Sequence, residues 1–120
     1  MEWARTLLIV EDDMRMGDMM SELFEPLFAR VELCGDGWEA VSRYDELNPA
    51  MVVMDIRLPG MDGLEATERI LRRHPSAHVF VVTAYDEPRY RQRAAKCGAQ
   101  GFFLKDDLGP LYDELRHDRF

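Results

Sequence analysis

The chain has 120 residues, 47% of them apolar and 32% charged, which is one domain's length and a composition that folds around a core. Fifteen Lys and Arg against twenty-three Asp and Glu leave a net charge of −8, so direct nucleic-acid contact and anionic membranes are both disfavoured. Two cysteines, Cys34 and Cys97, are too few for a disulfide framework or a four-ligand zinc site and read as small buried hydrophobes of a reduced, cytoplasmic protein. The first predicted strand is Thr6 to Val10. It runs into Glu11, Asp12 and Asp13, where a signal peptide would still need apolar or small residues. Asp13 is the candidate N-cap of a first helix. On that helix Met16, Met19, Met20, Leu23 and Phe24 form one apolar stripe at i, i+3, i+4, i+7 and i+8, and the methionines read as core fillers. Pro26 ends or kinks it. The second strand is Val31 to Cys34. Asp36 then caps a second helix that carries Ala40, Val41 and Tyr44 and stops at Asn48-Pro49. Met51 to Ile56 is the third strand. Asp62 fits a turn with Gly60 and Gly63, and a third helix spans Leu64 to Arg73, closed by His74-Pro75. Val79 to Thr83 is the fourth strand. Glu87 to Cys97 is the fourth helix, with Gly98 as its C-terminal cap. Gly101 to Leu104 is the fifth strand and Leu108 to about His117 the fifth helix. His74, His78 and His117 read as surface residues.

No apolar run approaches the ~18 residues needed to cross a bilayer. Three of the strands are continuous Val- and Ile-rich runs, as expected where both sheet faces are covered. Five strand–helix repeats predict a doubly wound α/β domain with one five-stranded parallel sheet and right-handed crossovers. The working edge of such a sheet lies beyond the carboxyl ends of its strands. Strand one ends there in Glu11-Asp12-Asp13, strand three at Asp55, strand four at Thr83-Ala84 and strand five at Lys105. Carboxylates crowded into one cleft raise each other's pKa or require a cation. Hard oxygen ligands in that number suit Mg²⁺, which prefers a few carboxylates together with water and phosphate oxygens. A carboxylate such as Asp55 can itself be a nucleophile toward phosphorus. Lys105 supplies positive charge and the Thr83 hydroxyl a hydrogen bond, which is what phosphoryl transfer needs most.

Four blocks carry a resemblance. They are Leu7-Leu8-Ile9-Val10-Glu11-Asp12-Asp13, the run from Met54-Asp55-Ile56-Arg57-Leu58-Pro59 through Gly63, Thr83-Ala84, and Gly98 through Lys105. The intervals are 43 residues from Asp12 to Asp55, 28 to Thr83 and 22 to Lys105. In order and spacing the chain resembles the response-regulator receiver domains of two-component signalling, with their flavodoxin-like (βα)5 fold, over nearly its whole length. The resemblance implies that Asp55 accepts a phosphoryl group from a histidine kinase or phosphotransfer protein. Asp12 and Asp55 would bind Mg²⁺ directly, Glu11 mainly through water, and the Arg57 carbonyl would be the backbone ligand. Thr83 and Phe102 would be the switch pair, Lys105 would meet a phosphoryl oxygen, and Ala84 would leave it room. Arg57 and Tyr85 occupy positions that tune dephosphorylation in the family, where bulk would shield the phosphoryl group from water. The helix-one methionines would alternatively lie on the kinase docking surface.

Some positions depart from the family pattern. The acidic pair is Glu11-Asp12, with Asp13 after it. The switch ring, Phe102, has no hydroxyl. Lys105 is followed by Asp106 where proline is frequent, which leaves the isomer of that bond open. The basic residues Arg89, Arg91, Arg93 and Lys96 face the acidic Asp106, Asp107, Asp113 and Glu114 on neighbouring elements. Such complementarity predicts a phosphorylation-promoted homodimer through helix four, strand five and helix five, against a reading of local ion pairs on a solvated helix. The expected function is a signalling switch acting on an output domain absent from this chain or on a partner, with no external turnover substrate. Two other readings stand beside it: a pseudo-receiver interaction module that never uses phosphate, and a phosphate-ester hydrolase. The hydrolase would need a second Asp where Arg57 stands.

Overall fold

The computed structural model describes residues 5–117. Its strands are β1 (Thr6–Val10), β2 (Arg30–Cys34), β3 (Met51–Asp55), β4 (Val79–Thr83) and β5 (Gly101–Leu104). Its helices are α1 (Met14–Phe24), α2 (Gly37–Leu47), α3 (Gly63–Arg73), α4 (Pro88–Lys96) and α5 (Gly109–Arg116). The strands form one parallel sheet in the order β2-β1-β3-β4-β5. This is the doubly wound, flavodoxin-like architecture expected from the sequence.

Strand periodicity sorts the core into two layers. Leu7, Ile9, Met51, Val53, Phe80 and Val82 face one way and pack with Met20 and Phe24 of α1 and Leu111 and Leu115 of α5. Leu8, Val10, Val52, Met54 and Val79 face the other way, under Ala40 and Tyr44 of α2 and Ala66 and Ile70 of α3. Beside them Ile56, Leu64, Val81 and Ala94 form a smaller cluster that seats α4. All residues of β1, β3 and β4 are buried, so their unbroken apolar runs are the signature of central strands.

The caps follow local chemistry. Asp13 accepts the Arg15 and Met16 N–H groups at α1, and Asp36 accepts that of Glu39 at α2. Glu39 in turn accepts the N–H of Gly35, the residue before the cap. Asp62 accepts the Leu64 and Glu65 N–H groups, so its turn is the N-cap of α3. Gly98 has φ +94°, the left-handed conformation expected of a residue closing α4.

Several boundaries differ from expectation. Strand β2 begins one residue earlier, at Arg30, and β3 stops at Asp55 because Ile56 already turns toward α4. Helices α4 and α5 begin at Pro88 and Gly109, leaving Glu87 and Leu108 as N-caps. Pro26 ends α1 rather than kinking it, and sits in a 3₁₀ turn, Glu25–Leu27. The α1 stripe is narrower than its spacing suggested. Met20 and Phe24 are buried, but Met19 and Leu23 are 46% and 38% exposed and Met14 is 81% exposed. The buried seam runs along i, i+4, i+8 with Gly17, and the i+3 and i+7 positions flank it in solvent. Every described peptide bond is trans, Lys105-Asp106 included.

Candidate functional site

The carboxyl ends of β1, β3, β4 and β5 meet at one edge. The ladder continues into the site: the Glu11 N–H donates to the Cys34 carbonyl at 2.9 Å and the Lys105 N–H to the Thr83 carbonyl at 2.9 Å. Helix α3 starts hard against Asp55. The Gly63 N–H donates to the Ile56 carbonyl at 2.8 Å, and a Cβ on Gly63 would stand 1.7 Å from the Asp55 carbonyl oxygen. Only glycine permits that approach.

Asp55 and Glu11 are 4% and 6% exposed. Lys105 Nζ lies 2.9 Å from Asp55 Oδ2 and 2.7 Å from Glu11 Oε1. Asp55 Oδ1 accepts the Ile56 N–H at 2.8 Å, and Glu11 Oε2 accepts the Asp13 N–H at 3.2 Å. One lysine therefore bridges two buried carboxylates. Burial pushes the Glu11 carboxyl up to about 7; the Lys105 ammonium beside it opposes this and the Asp55 charge adds to it. Burial by itself would lower the Lys105 pKa, but the carboxylates of Glu11 and Asp55 beside it outweigh this and the ammonium is held above its ordinary value.

Oxygens of Glu11, Asp12 and Asp55 lie within 4.8 Å of one another. Glu11 Oε1 is buried and has no hydrogen bond of acceptable geometry, although the Lys105 charge is beside it. An oxygen-only donor set with an unused buried lone pair fits a hard divalent cation, so the residues present suit Mg²⁺.

Thr83 is 1% exposed and its Oγ accepts the Tyr85 N–H at 3.2 Å, which leaves its own O–H free to donate. Phe102 packs against the Ile56, Leu64, Val81 and Ala94 cluster, on the α4 side of the sheet. The Arg91 guanidinium covers its ring at 4.6 Å and is itself fixed by Asp86 at 2.7 Å. The Arg57 guanidinium stacks on Tyr85 at 3.9 Å and lies 3.7 Å from Glu87. The structure thus gathers Glu11, Asp12, Asp55 and Lys105 in one cluster and sets Thr83 on the neighbouring strand end. Phe102 sits apart, on the α4 side. The hold of Arg91 on Phe102 was not visible in the sequence, because nothing in it ties an exposed helical Arg to a ring eleven positions on. His74 is half-exposed and bound to Asp45, and His117 is exposed, consistent with surface roles.

Fold and site together define a signalling receiver: an α/β domain whose sheet edge holds an acidic cluster bridged by one lysine. The family model of the response regulator receiver domain matches residues 7–116, and the chain belongs to that family, which serves two-component signalling. The chemotaxis protein CheY of Listeria monocytogenes is 40% identical over 100 residues, covering 82% of this chain and 84% of that protein. The transcriptional regulatory protein DegU of Brevibacillus brevis is 31% identical over 113 residues, covering 92% of this chain but 48% of that protein. Among solved structures, the signal receiver domain of a DNA-binding response regulator from Colwellia psychrerythraea superposes with a TM-score of 0.86 at 24% identity. That alignment covers 93% of this chain and 95% of that one, and the likeness is one of fold.

Proposed function

We propose that the chain is a phosphorylation-controlled switch in which Asp55 takes a phosphoryl group from a phosphohistidine on a histidine kinase or phosphotransfer protein. The observation that carries this reading is the Asp55 carboxylate, 4% exposed, 2.9 Å from Lys105 Nζ and clustered with Glu11 and Asp12. A carboxylate oxygen of Asp55 attacks phosphorus and forms a P–O bond. The P–N bond breaks, and its electron pair stays on the leaving imidazole nitrogen. Asp12, Asp55 and the Arg57 carbonyl would hold Mg²⁺, with Glu11 through water, and the ion would neutralise phosphoryl charge. Lys105 offers its ammonium to a phosphoryl oxygen and Thr83 its free O–H. Ala84, after Thr83, adds no bulk beyond a methyl group. Phe102 is the ring that responds, and the surface around α4, β5 and α5 carries the output.

Phosphoryl acceptance and slow hydrolysis are then self-reactions, with no external turnover substrate. The place of action is the cytoplasm; no described helix is long and apolar enough to cross a membrane. The partners are the phosphodonor and an output domain or target protein. A symmetric dimer through α4, β5 and α5 has less free charge to draw on than the sequence suggested, since Arg91 is paired with Asp86 and Arg89 and Arg93 look toward the β3–α3 loop. Sedimentation with and without phosphorylation tests it, and a monomer in both states at high concentration removes it.

The deciding experiment is intact mass after incubation with acetyl phosphate, with and without Mg²⁺, beside Asp55→Asn. A Mg²⁺-dependent gain of one phosphoryl group, absent in the variant, is expected. No gain from either acetyl phosphate or a phosphohistidine donor would leave the pseudo-receiver reading in its place.

A further inference from the structure

Three arginines of this acidic protein meet at one groove beside α4. A surface groove of about 410 Å³ runs between the loop after β3 and the first turns of α4, lined by Ile56, Arg57, Asp62, Arg89, Tyr90 and Arg93. Helical geometry separates this face of α4 from the one that meets β5. Ala94 points into the core and Tyr90 packs beside it, Arg91 turns to Phe102, and Arg89 and Arg93, one turn apart, look toward the β3–α3 loop.

The groove's cations are poorly compensated. Arg57 and Arg89 share a single carboxylate, Glu87, at 3.7 and 3.1 Å. Arg93 has no ion pair among the described residues. Asp62, the other acid on the rim, already accepts two N–H groups as the N-cap of α3. The α4 N-terminus brings further positive character, because no side chain caps it. Tyr90 and the buried Ile56 supply an apolar floor.

We propose that this groove docks an acidic helical segment of a partner protein, with carboxylates at i and i+4 meeting Arg89 and Arg93 and an apolar side chain between them seated on Tyr90. The matching i, i+4 spacing of the two arginines favours a helix over a compact anion. Arginine side chains hold carboxylates bidentately, so the three arginines of the groove favour a partner that brings carboxylates to it at short range. The face lies across α4 from the α4–β5–α5 surface, so both can be engaged at once.

The test uses the full chain, unphosphorylated, so that its outcome is independent of Asp55 chemistry. A fluorescein-labelled helical peptide with glutamates at i and i+4 around a leucine is titrated by fluorescence anisotropy at low ionic strength, beside a glutamine version. Saturable binding is expected for the glutamate peptide and not for the glutamine one. Arg89→Glu and Arg93→Glu should each weaken it roughly tenfold. Both sites are exposed, and unchanged thermal midpoints show that the fold is kept. A lysine version of the peptide should bind the double variant in preference to the wild type. Arg91→Glu, on the other face, should leave affinity within about twofold. Loss on Arg91→Glu equal to that on Arg89→Glu would overturn the proposal, as would binding untouched by Arg89→Glu and Arg93→Glu, or no binding at all. Complete displacement by inorganic phosphate at concentrations where matched sulfate has no effect would overturn it in favour of a small-anion site.

Discussion

Lys105→Met is the most informative single change, because one ammonium separates two buried carboxylates. Lys105 Nζ is 2.7 Å from Glu11 and 2.9 Å from Asp55. Methionine keeps much of the stem and removes the charge. Glu11 and Asp55 oxygens within 4.8 Å then repel by about 3.5 kcal/mol at an effective dielectric constant near 20. That agrees with the ~3–5 kcal/mol usual for breaking a buried pair from one side. The pH dependence carries the sharper test. Glu11 titrates at about 7 in the folded chain against 4.5 as its ordinary value, so the fold binds this proton more tightly than the unfolded chain does. Its contribution is therefore a penalty that is absent below 4.5, grows as pH rises and is complete above the folded value. Without Lys105 that value moves higher. The variant's deficit should be small at pH 4.5 and about 1.4 kcal/mol at pH 8, one pH unit above the wild-type value, because Glu11 then keeps its proton rather than face Asp55 as a second charge; it is read as the shift of the urea midpoint at constant m-value. Mg²⁺ at pH 8 should recover part of it, since a bound cation replaces the missing charge. A deficit equal at both pH values and indifferent to Mg²⁺ would refute the reasoning and reduce Lys105 to a packing residue.

Gly63→Ala forces a Cβ to within 1.7 Å of the Asp55 carbonyl oxygen, so α3 or β3 must shift by more than an ångström. The thermal midpoint should fall by roughly 10 °C, whereas Gly35→Ala, with nothing within 4 Å, should leave it unchanged. Mg²⁺ affinity measured by calorimetry should weaken as pH falls through about 7, because the proton on Glu11 competes with the metal; Glu11→Gln should flatten the profile. Arg57→Ala removes the guanidinium stacked on Tyr85 at 3.9 Å, and the phosphorylated chain should lose its phosphoryl group faster, followed by intact mass over time.

The fold was legible because its signals are local. Unbroken apolar strands such as Val79–Thr83 announce central positions, and Asp13, Asp36 and Gly98 mark helix ends through their own backbone chemistry. Glu11, Asp12, Asp55 and Lys105 were legible for a different reason. Parallel topology sends every strand's carboxyl end to one edge, so position at or just beyond a strand's end is enough to place them. What escaped was lateral detail. Apolar spacing cannot say that Met19 and Leu23 flank a narrow seam, since the width of the stripe depends on what α1 packs against. Nor can it pair Arg91 with Phe102 or Arg57 with Tyr85, contacts decided by long side chains choosing among neighbours after folding. The α4 charge cluster was read as one surface, yet its residues divide between two faces.

Ile56 connects the acidic cluster to that helix. Its N–H holds Asp55 Oδ1 at 2.8 Å, while its side chain packs with Val81 and Ala94 and against Phe102 and Tyr90. Thr83 lies in the same strand as Val81, two residues on. Both contacts of the α4 floor are thus bonded to, or in line with, groups that would meet a phosphoryl oxygen. A phosphoryl group on Asp55 would compete with Oδ1 for the Ile56 N–H and would draw on the Thr83 hydroxyl, and the shared floor lies under Phe102 on one side of α4 and under Tyr90 on the other. On the proposed switch reading, a small apolar cluster at the sheet's edge, rather than the large core beneath it, would be the part of the molecule that passes a local charge event to either face of α4.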